Sequence, residues 1–410
     1  MINELPTTFN GIVRDDGSIG TRNYIGVLAT ENESSSIARK IADYFTPERL
    51  IGFTNIDGII PFTTTLGGAI NMRDSILKDL TKTMNGYIDN PNFGGMLVVS
   101  MQKNFYSFDG FTNIDEVHES DRLKKLCIIE EGGTLNSVNK GIEIIYDMLC
   151  EVNKINRQTV GVENLIVGIK CSGTNIYSGK SANPSLGHAV DLLVEQGATV
   201  ITSETLEFYG VQDEFERRAV NEEVKEKFHA KLDWWIQATK LRNLEVNSKI
   251  TMESIEKSLN KSVNLKEQVY KGVGIKKTGT AKLMEVYDYA EKVTEKGLVF
   301  MDTPGYDSVA ITGQIAGGAT IIAFTTGNGS CFGAYPSPVL KISATTELFN
   351  KMMSDIDLDS GTVLTEEATI EEMGRAIYAK LIRIASGDKS KAEINGIGRN
   401  EYSPWQIGSI

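Results

Sequence analysis

Short apolar runs, each followed by a polar glycine-rich loop and then by helical periodicity, recur along this chain of 410 residues. The clearest unit runs from Leu165 to Gly210. Leu165 to Ile169 is apolar and partly β-branched, the pattern of a strand buried on both faces. Cys171 to Ser185 follows as a loop rich in Gly, Ser, Thr and Asn. Leu186, Ala189, Val190, Leu193 and Val194 then recur at helical spacing. Asn183 and Pro184 suit the entrance of that helix, and Gly197 suits the position just past its end. Ala198 to Thr202 is a second buried strand, delivering Glu204, Glu207 and Tyr209 to a polar loop. Both loops leave the carboxyl ends of their strands, where ligands bind in open parallel sheets.

The same alternation extends in both directions. Upstream, the pattern predicts a strand at Tyr24–Ala29, a capping turn at Asn32–Ser36 and a helix at Ile37–Phe45. A loop of hydroxyls and glycines, Thr63 to Gly68, opens onto a helix from Ala69 to Met84. Gly95–Met101 is a buried strand ending at Gln102, Lys103 and Asn104. Leu126–Ile129 is another strand, and Thr134–Val152 a helix. Downstream, Asp213–Leu241 reads as a long helix with a break, and Arg242–Gly279 as a polar connector. Ala281–Ala290 reads as helical, Leu298–Met301 as a strand and Gly313–Ala319 as a glycine-rich stretch. Ile321–Thr325 is a strand running into the Thr325–Pro338 loop, whose N–H groups could face an anion. Glu371–Ala385 is a last amphipathic helix.

Strand, loop and helix in this order predict an α/β fold: two parallel-sheet, Rossmann-like lobes with a cleft between them. The expected division is residues 1–155 and 156–410, with a connector or lid at about 242–279. The closing Asn400–Ser409 segment is expected to return to the first lobe as a strand.

Hydrophobic content of 41% and charged content of 23% are ordinary for a soluble globular protein. A net charge of −12 argues against nucleic acid as a partner, although a local cluster of Arg and Lys can still hold a small anion. Met1–Asn10 lacks a signal-peptide pattern, and no window approaches the ~20 apolar residues of a membrane span. The 4 cysteines are scattered without a CxxC pair, which suits reduced thiols in a cytoplasm. His118, His188 and His229 are equally isolated, so a metal here would depend largely on oxygen ligands.

Arg14, Arg22 and Asn23 surround the entrance of the first buried strand, and Thr64 lies in the first hydroxyl-rich loop. In the central unit, Cys171, Asn175, Ser178 and Asn183 line the long loop. Thr326, Asn328 and Ser330 lie in the late glycine loop.

Six separated blocks together resemble one family, the altronate and galactarate dehydratases. They are GSIGTRNYIGVL, NPNFGGMLVVS, the central CSGTNIYSGKSANPSLGHAVDLLVEQGATVITSETLEFYG, FMDTPGYDSVAITGQIAGGA, FTTGNGSCFG and NEYSPWQIG. Sulfolactate sulfo-lyase large subunits are similar in architecture. The resemblance implies a hydro-lyase that takes water from a sugar acid and leaves a 2-keto-3-deoxy acid. It also implies a divalent metal (Fe2+, Mn2+ or Mg2+) as Lewis acid. Under that resemblance Arg14, Arg22 and the Thr326–Ser330 loop would clamp carboxylate. Glu204 or Glu207 would act as base or as oxygen ligand, and Lys103 would either stabilise an enediolate or remain solvated. Cys171 is either reactive or a small buried residue.

This chain departs from the family pattern where cysteines and a histidine commonly stand. Those stretches here read Asn32-Glu33, Thr63 to Ala69, and Gln102-Lys103-Asn104. Asp359-Ser360-Gly361 and Gly333-Ala334-Tyr335-Pro336 also stand in place of cysteine-containing runs. Cys171-Ser172-Gly173-Thr174-Asn175 carries an amide where the family has Asp, and the glycine-rich lid is shortened to about Val246–Lys249. Metal identity is therefore left open, and a family member that binds a sugar acid or a partner without turnover is the alternative. A separate small subunit in place of an N-terminal domain, and a homo-oligomer, are the expected associations.

Overall fold

The computed structural model describes residues 5–65, 74–102, 119–241 and 273–406. The first part of the chain forms β1 (Thr8–Val13), β2 (Ile19–Gly20), β3 (Tyr24–Ala29), α1 (Asn32–Tyr44), β4 (Gly58–Phe62) and α2 (Asp74–Asp89). It continues through β5 (Phe93–Ser100), β6 (Leu123–Cys127), α3 (Thr134–Val152) and β7 (Arg157–Gly161). Next come β8 (Ile166–Ser172), α4 (Ala182–Glu195), β9 (Thr199–Thr202), α5 (Gln212–Glu216) and α6 (Glu222–Leu241). After them stand α7 (Val273–Lys276), β10 (Leu283–Tyr287), β11 (Gly297–Met301), α8 (Asp307–Ala316) and β12 (Ile321–Thr326). The last elements are β13 (Val339–Ser343), α9 (Thr346–Lys351), β14 (Leu358–Asp359), α10 (Ile370–Ala385) and α11 (Lys391–Ile394).

Two parallel sheets carry the fold. The first has the order β4-β3-β5-β6, and the second β10-β11-β9-β8-β12-β13-β14. Every residue of β3 and of β5 is buried, as expected for central strands covered on both faces. One face of the first sheet packs Ile25, Val27, Leu97 and Val99 against Ile37 and Ile41 of α1 and Ile145 and Leu149 of α3. On the second sheet, Val167, Ile169 and Ala323 pack against α4 and α10. A reciprocal capping box starts α10: Glu372 N donates to Thr369 Oγ1 at 3.1 Å, and Thr369 N donates to Glu372 Oε2 at 2.9 Å.

Where a cleft was expected, the two sheets share a packed apolar seam. Leu28, Phe62 and Val98 of the first sheet share one apolar cluster with Val299, Ile322 and Phe324 of the second, with α2 and α8 between them. Gly86 marks the closest approach, since a Cβ there would lie 2.2 Å from the Ala316 carbonyl oxygen. Two cavities lie along the seam. One cavity of about 640 Å³ touches Pro91, Leu123, Ile166 and Thr320, at the amino ends of the strands. Another of about 290 Å³ opens beside Thr63–Thr65 and Ser308.

Several local expectations change. Ala281–Ala290 is not helical: β10 occupies it as the edge strand of the second sheet, with Leu283, Val286 and Tyr287 buried. The glycine-rich stretch at Gly313 is the end of α8. Residues 401–406 form no strand: their backbone bonds to side chains rather than to another strand, with Ser403 N donating to Thr312 Oγ1 at 3.0 Å and Trp405 N to the Tyr289 hydroxyl at 3.2 Å. Tyr402 packs edge-on against Phe62 and Tyr87 of the first lobe, and Trp405 stacks on Trp235 at 5.4 Å. A small antiparallel sheet, β2-β1-β7, joins the two lobes. Most of the expected connector lies outside the described residues.

Candidate active site

The carboxyl ends of β8, β9, β11 and β12 form one edge of the second sheet, and a buried ionic cluster sits there. Lys170 belongs to β8, where a cation flanked by apolar residues on a fully covered strand must find partners. Its ammonium pairs with Glu204 and lies 2.9 Å from Asp307 Oδ1 and 3.2 Å from the Cys171 carbonyl oxygen. Asp307, the first residue of α8, also accepts from Ser172 Oγ at 2.8 Å. Lys277, fully buried just after α7, pairs with Glu207 and lies 3.5 Å from Glu204 Oε2.

Glu204 joins the two lysines. It leaves β9 with φ 73° and ψ 73°, a left-handed conformation that costs a non-glycine residue about 1–3 kcal/mol. Its N–H donates to Thr303 Oγ1 at 3.0 Å, which helps to hold the turn. Burial, and then the nearby charge of Glu207, push the Glu204 carboxyl up to about 7 against the pull of Lys170 and Lys277. Burial alone would lower both lysines, yet the surrounding carboxylates outweigh it and hold both ammonium groups above their ordinary value. A carboxyl titrating near neutrality beside fixed positive charge suits proton transfer at carbon. The Cys171 thiol is raised, by burial and then by Glu207, so it stands as a neutral group 3.0 Å from Thr174 Oγ1.

Asn175 stitches the central loop to the late one. Its Nδ2 donates to the Gly327 carbonyl oxygen at 2.8 Å and to Asn328 Oδ1 at 3.2 Å, while its Oδ1 accepts from the Tyr177 and Ser178 N–H groups. Ser178, Asn183 and Thr326 are buried and bonded within the protein: Asn183 to the Val273 carbonyl and Thr325, Thr326 to the Gly329 N–H. Ser330 Oγ likewise accepts from the Phe332 N–H. These side chains position the loops. Asn183 therefore caps no helix by its side chain, contrary to expectation. Thr64 lies on the wall of the smaller seam cavity. Lys103 lies outside the described residues.

Arg14, Arg22 and Asn23 are corrected. They sit at the amino edge of the first sheet, away from the ligand-binding edge. All five Arg22 donors are used by Glu393 and by the carbonyls of Thr21, Ile384 and Asp388, and the side chain is fully buried. Arg14 donates to the Pro91 and Arg22 carbonyls and to Asn23 Oδ1, and burial first of all pushes it down to about 9. Asn23 donates in turn to the Asn55 and Val152 carbonyls. These bonds tie loops together at the amino edge, and Arg22 has no donor left for a substrate.

Lys170, Asp307 and Lys277 are the functional candidates that the sequence pattern passed over. One signal was visible for Lys170, a lone cation between apolar residues at the end of a strand buried on both faces. Asp307 and Lys277 gave none, because their relevance arises only where separate loops meet.

The cluster does not fit a divalent ion. The three carboxylates that would ligate it are each closed against an ammonium group, and no group of three or more His, Cys, Asp or Glu side chains gathers in a metal-binding arrangement among the described residues.

The chain is an α/β protein with a buried acid–lysine cluster at the carboxyl edge of a parallel sheet. The chain belongs to the D-galactarate/altronate dehydratase family. The family description "D-galactarate/Altronate dehydratase, C-terminal" matches residues 162–410, and "D-galactarate dehydratase/Altronate hydrolase, second domain" matches residues 11–153. It is 30% identical over 394 residues to galactarate dehydratase (L-threo-forming) of Escherichia coli (strain K12), covering 93% of this chain and 73% of that protein. It is 26% identical to altronate dehydratase of Bacillus subtilis (strain 168), covering 95% and 76%. It is 29% identical to (2R)-sulfolactate sulfo-lyase subunit beta of Chromohalobacter salexigens, covering 96% of both chains. No helix among the described residues is long and apolar enough to cross a membrane.

Proposed function

We propose that this chain is a carbon–oxygen lyase that dehydrates a sugar acid to a 2-keto-3-deoxy acid. One observation carries the reading: Glu204, pushed up to about 7, lies between two buried ammonium groups at the sheet edge where ligands bind. The Glu204 carboxylate takes the proton from the carbon beside the substrate carboxylate. Lys170 and Lys277 face the negative charge that develops on the enediolate. The bond from the next carbon to its hydroxyl then breaks, and the departing hydroxide recovers the proton from Glu204 as water. The enol left behind becomes the 2-keto acid.

The test is incubation of purified chain with galactarate, altronate and related acids, with and without Fe2+, Mn2+ or Mg2+, and detection of keto-acid product by NMR. Turnover that is lost in Glu204→Gln supports the proposal. Sugar-acid binding without turnover under any condition favours a non-catalytic member, and neither binding nor turnover overturns both readings.

The match along 96% of both chains to a sulfo-lyase subunit supports a second reading, that this chain works with a small separate subunit. Sulfite released from sulfolactate only when such a partner is added would establish it. Release of keto acid from sugar acids by the isolated chain would exclude the need for one.

A further inference from the structure

The smaller seam cavity, about 290 Å³, has walls from both lobes. Arg39, Thr63, Thr64 and Thr65 come from the first lobe, and Ser308 and Arg399 from the second half of the chain. Two guanidinium groups and no carboxylate stand among its described lining residues, in a chain whose net charge is −12. Such a local reversal of sign attracts an anion. Among the described residues, Arg39 makes one side-chain hydrogen bond, to Thr63 Oγ1 at 2.7 Å. Arg399 meets one carboxylate, Asp43 at 2.7 Å, which is 61% exposed and outside the cavity lining. With five donors on each guanidinium, both arginines keep capacity for a further acceptor. The remaining polar lining is hydroxyl and amide, from the three threonines, Ser308, Asn400, Ser403 and Gln406, which suits a polyhydroxylated ligand.

Position connects this cavity to the acid–lysine cluster. Ser308 on its wall follows Asp307, which pairs with Lys170, and consecutive Cα atoms lie about 3.8 Å apart. The first turn of α8 thus borders both places.

We propose that this cavity is the subsite for the far carboxylate of a dicarboxylate sugar acid. The inference rests on the proposed dehydratase function and adds the substrate class to it: aldarates, acidic at both ends, over aldonates, acidic at one. Arg39 and Arg399 are the specificity-determining residues, since an arginine fork matches a carboxylate in geometry as well as in charge.

The test compares kcat/KM for galactarate and galactonate in the intact chain, in Arg39→Gln, in Arg399→Gln and in the double variant. Unchanged melting temperatures would establish that these variants fold. The expected result is an aldarate-over-aldonate ratio that falls about tenfold in the double variant, through KM of the aldarate. A ratio that stays within about twofold of the intact chain overturns the subsite. If neither acid turns over, the dehydratase reading fails separately, and calorimetric titration with galactarate decides the subsite. Binding weakened about tenfold by the double substitution sustains it; binding that is absent or insensitive overturns it.

Discussion

Lys170 Nζ lies 2.9 Å from Asp307 Oδ1 while the same ammonium closes against Glu204, so one cation from β8 holds together acids delivered by two other loops. Removing it strands two carboxylates at a buried edge. Lys170→Met is expected to destabilise the fold by about 3–5 kcal/mol, the usual cost of breaking a buried pair from one side. Urea unfolding measures this. The double variant Lys170→Met/Glu204→Leu should regain part of the stability and none of the turnover. A single variant as stable as the parent would mean that the cluster is hydrated and easily relaxed.

Glu204 must be ionised to act as base, and its carboxyl is pushed up to about 7. The value of kcat/KM should therefore fall about tenfold per pH unit below that point and level off above it. A profile that is flat from about pH 5.5 to 8.5 would remove Glu204 from the role of base.

The ion pair of Arg22 with Glu393 is structural, and pH should report it. Burial alone would raise Glu393, but the hydrogen bond and charge of Arg22 outweigh it and hold the carboxyl below its ordinary value. A depressed carboxyl contributes stability that is fully present above its unfolded pKa, about 4.5, and lost as pH falls through the folded value. Melting temperature should therefore drop steeply below about pH 4.5, and more gently in Glu393→Gln, which should be less stable than the parent at pH 7. Equal acid sensitivity of the two proteins would count against this account.

Trp405, 5% exposed, stacks on Trp235 at the end of the described chain. Trp405→Ala should cost about 3–5 kcal/mol by leaving a cavity between the aromatic rings. Differential scanning calorimetry would register it. A shift of less than about 1 °C would show that the closing segment is peripheral to the fold.

Much of the architecture was legible in the order of residues. Tyr24–Ala29, Thr134–Val152 and the unit from β8 to β9 stand where apolar periodicity puts them, because burial of a strand or helix face imposes a short, local repeat. The same logic placed Glu204 and Asn175 at the carboxyl edge of the sheet. It failed at β10, where a short amphipathic stretch fits either period and the decision rests on pairing with β11.

Arginine was the harder problem. The sequence by itself determined that Arg22 precedes a buried strand, but only the tertiary structure brought Glu393, 371 residues away, to close around it. The tertiary structure likewise set Arg39 of α1 and Arg399 on one cavity and gave Lys170 its two acids. Periodicity is local and survives in the linear pattern. The partners of a charge are chosen by contacts that exist only after the chain has folded, and so the chemistry of this site was decided there.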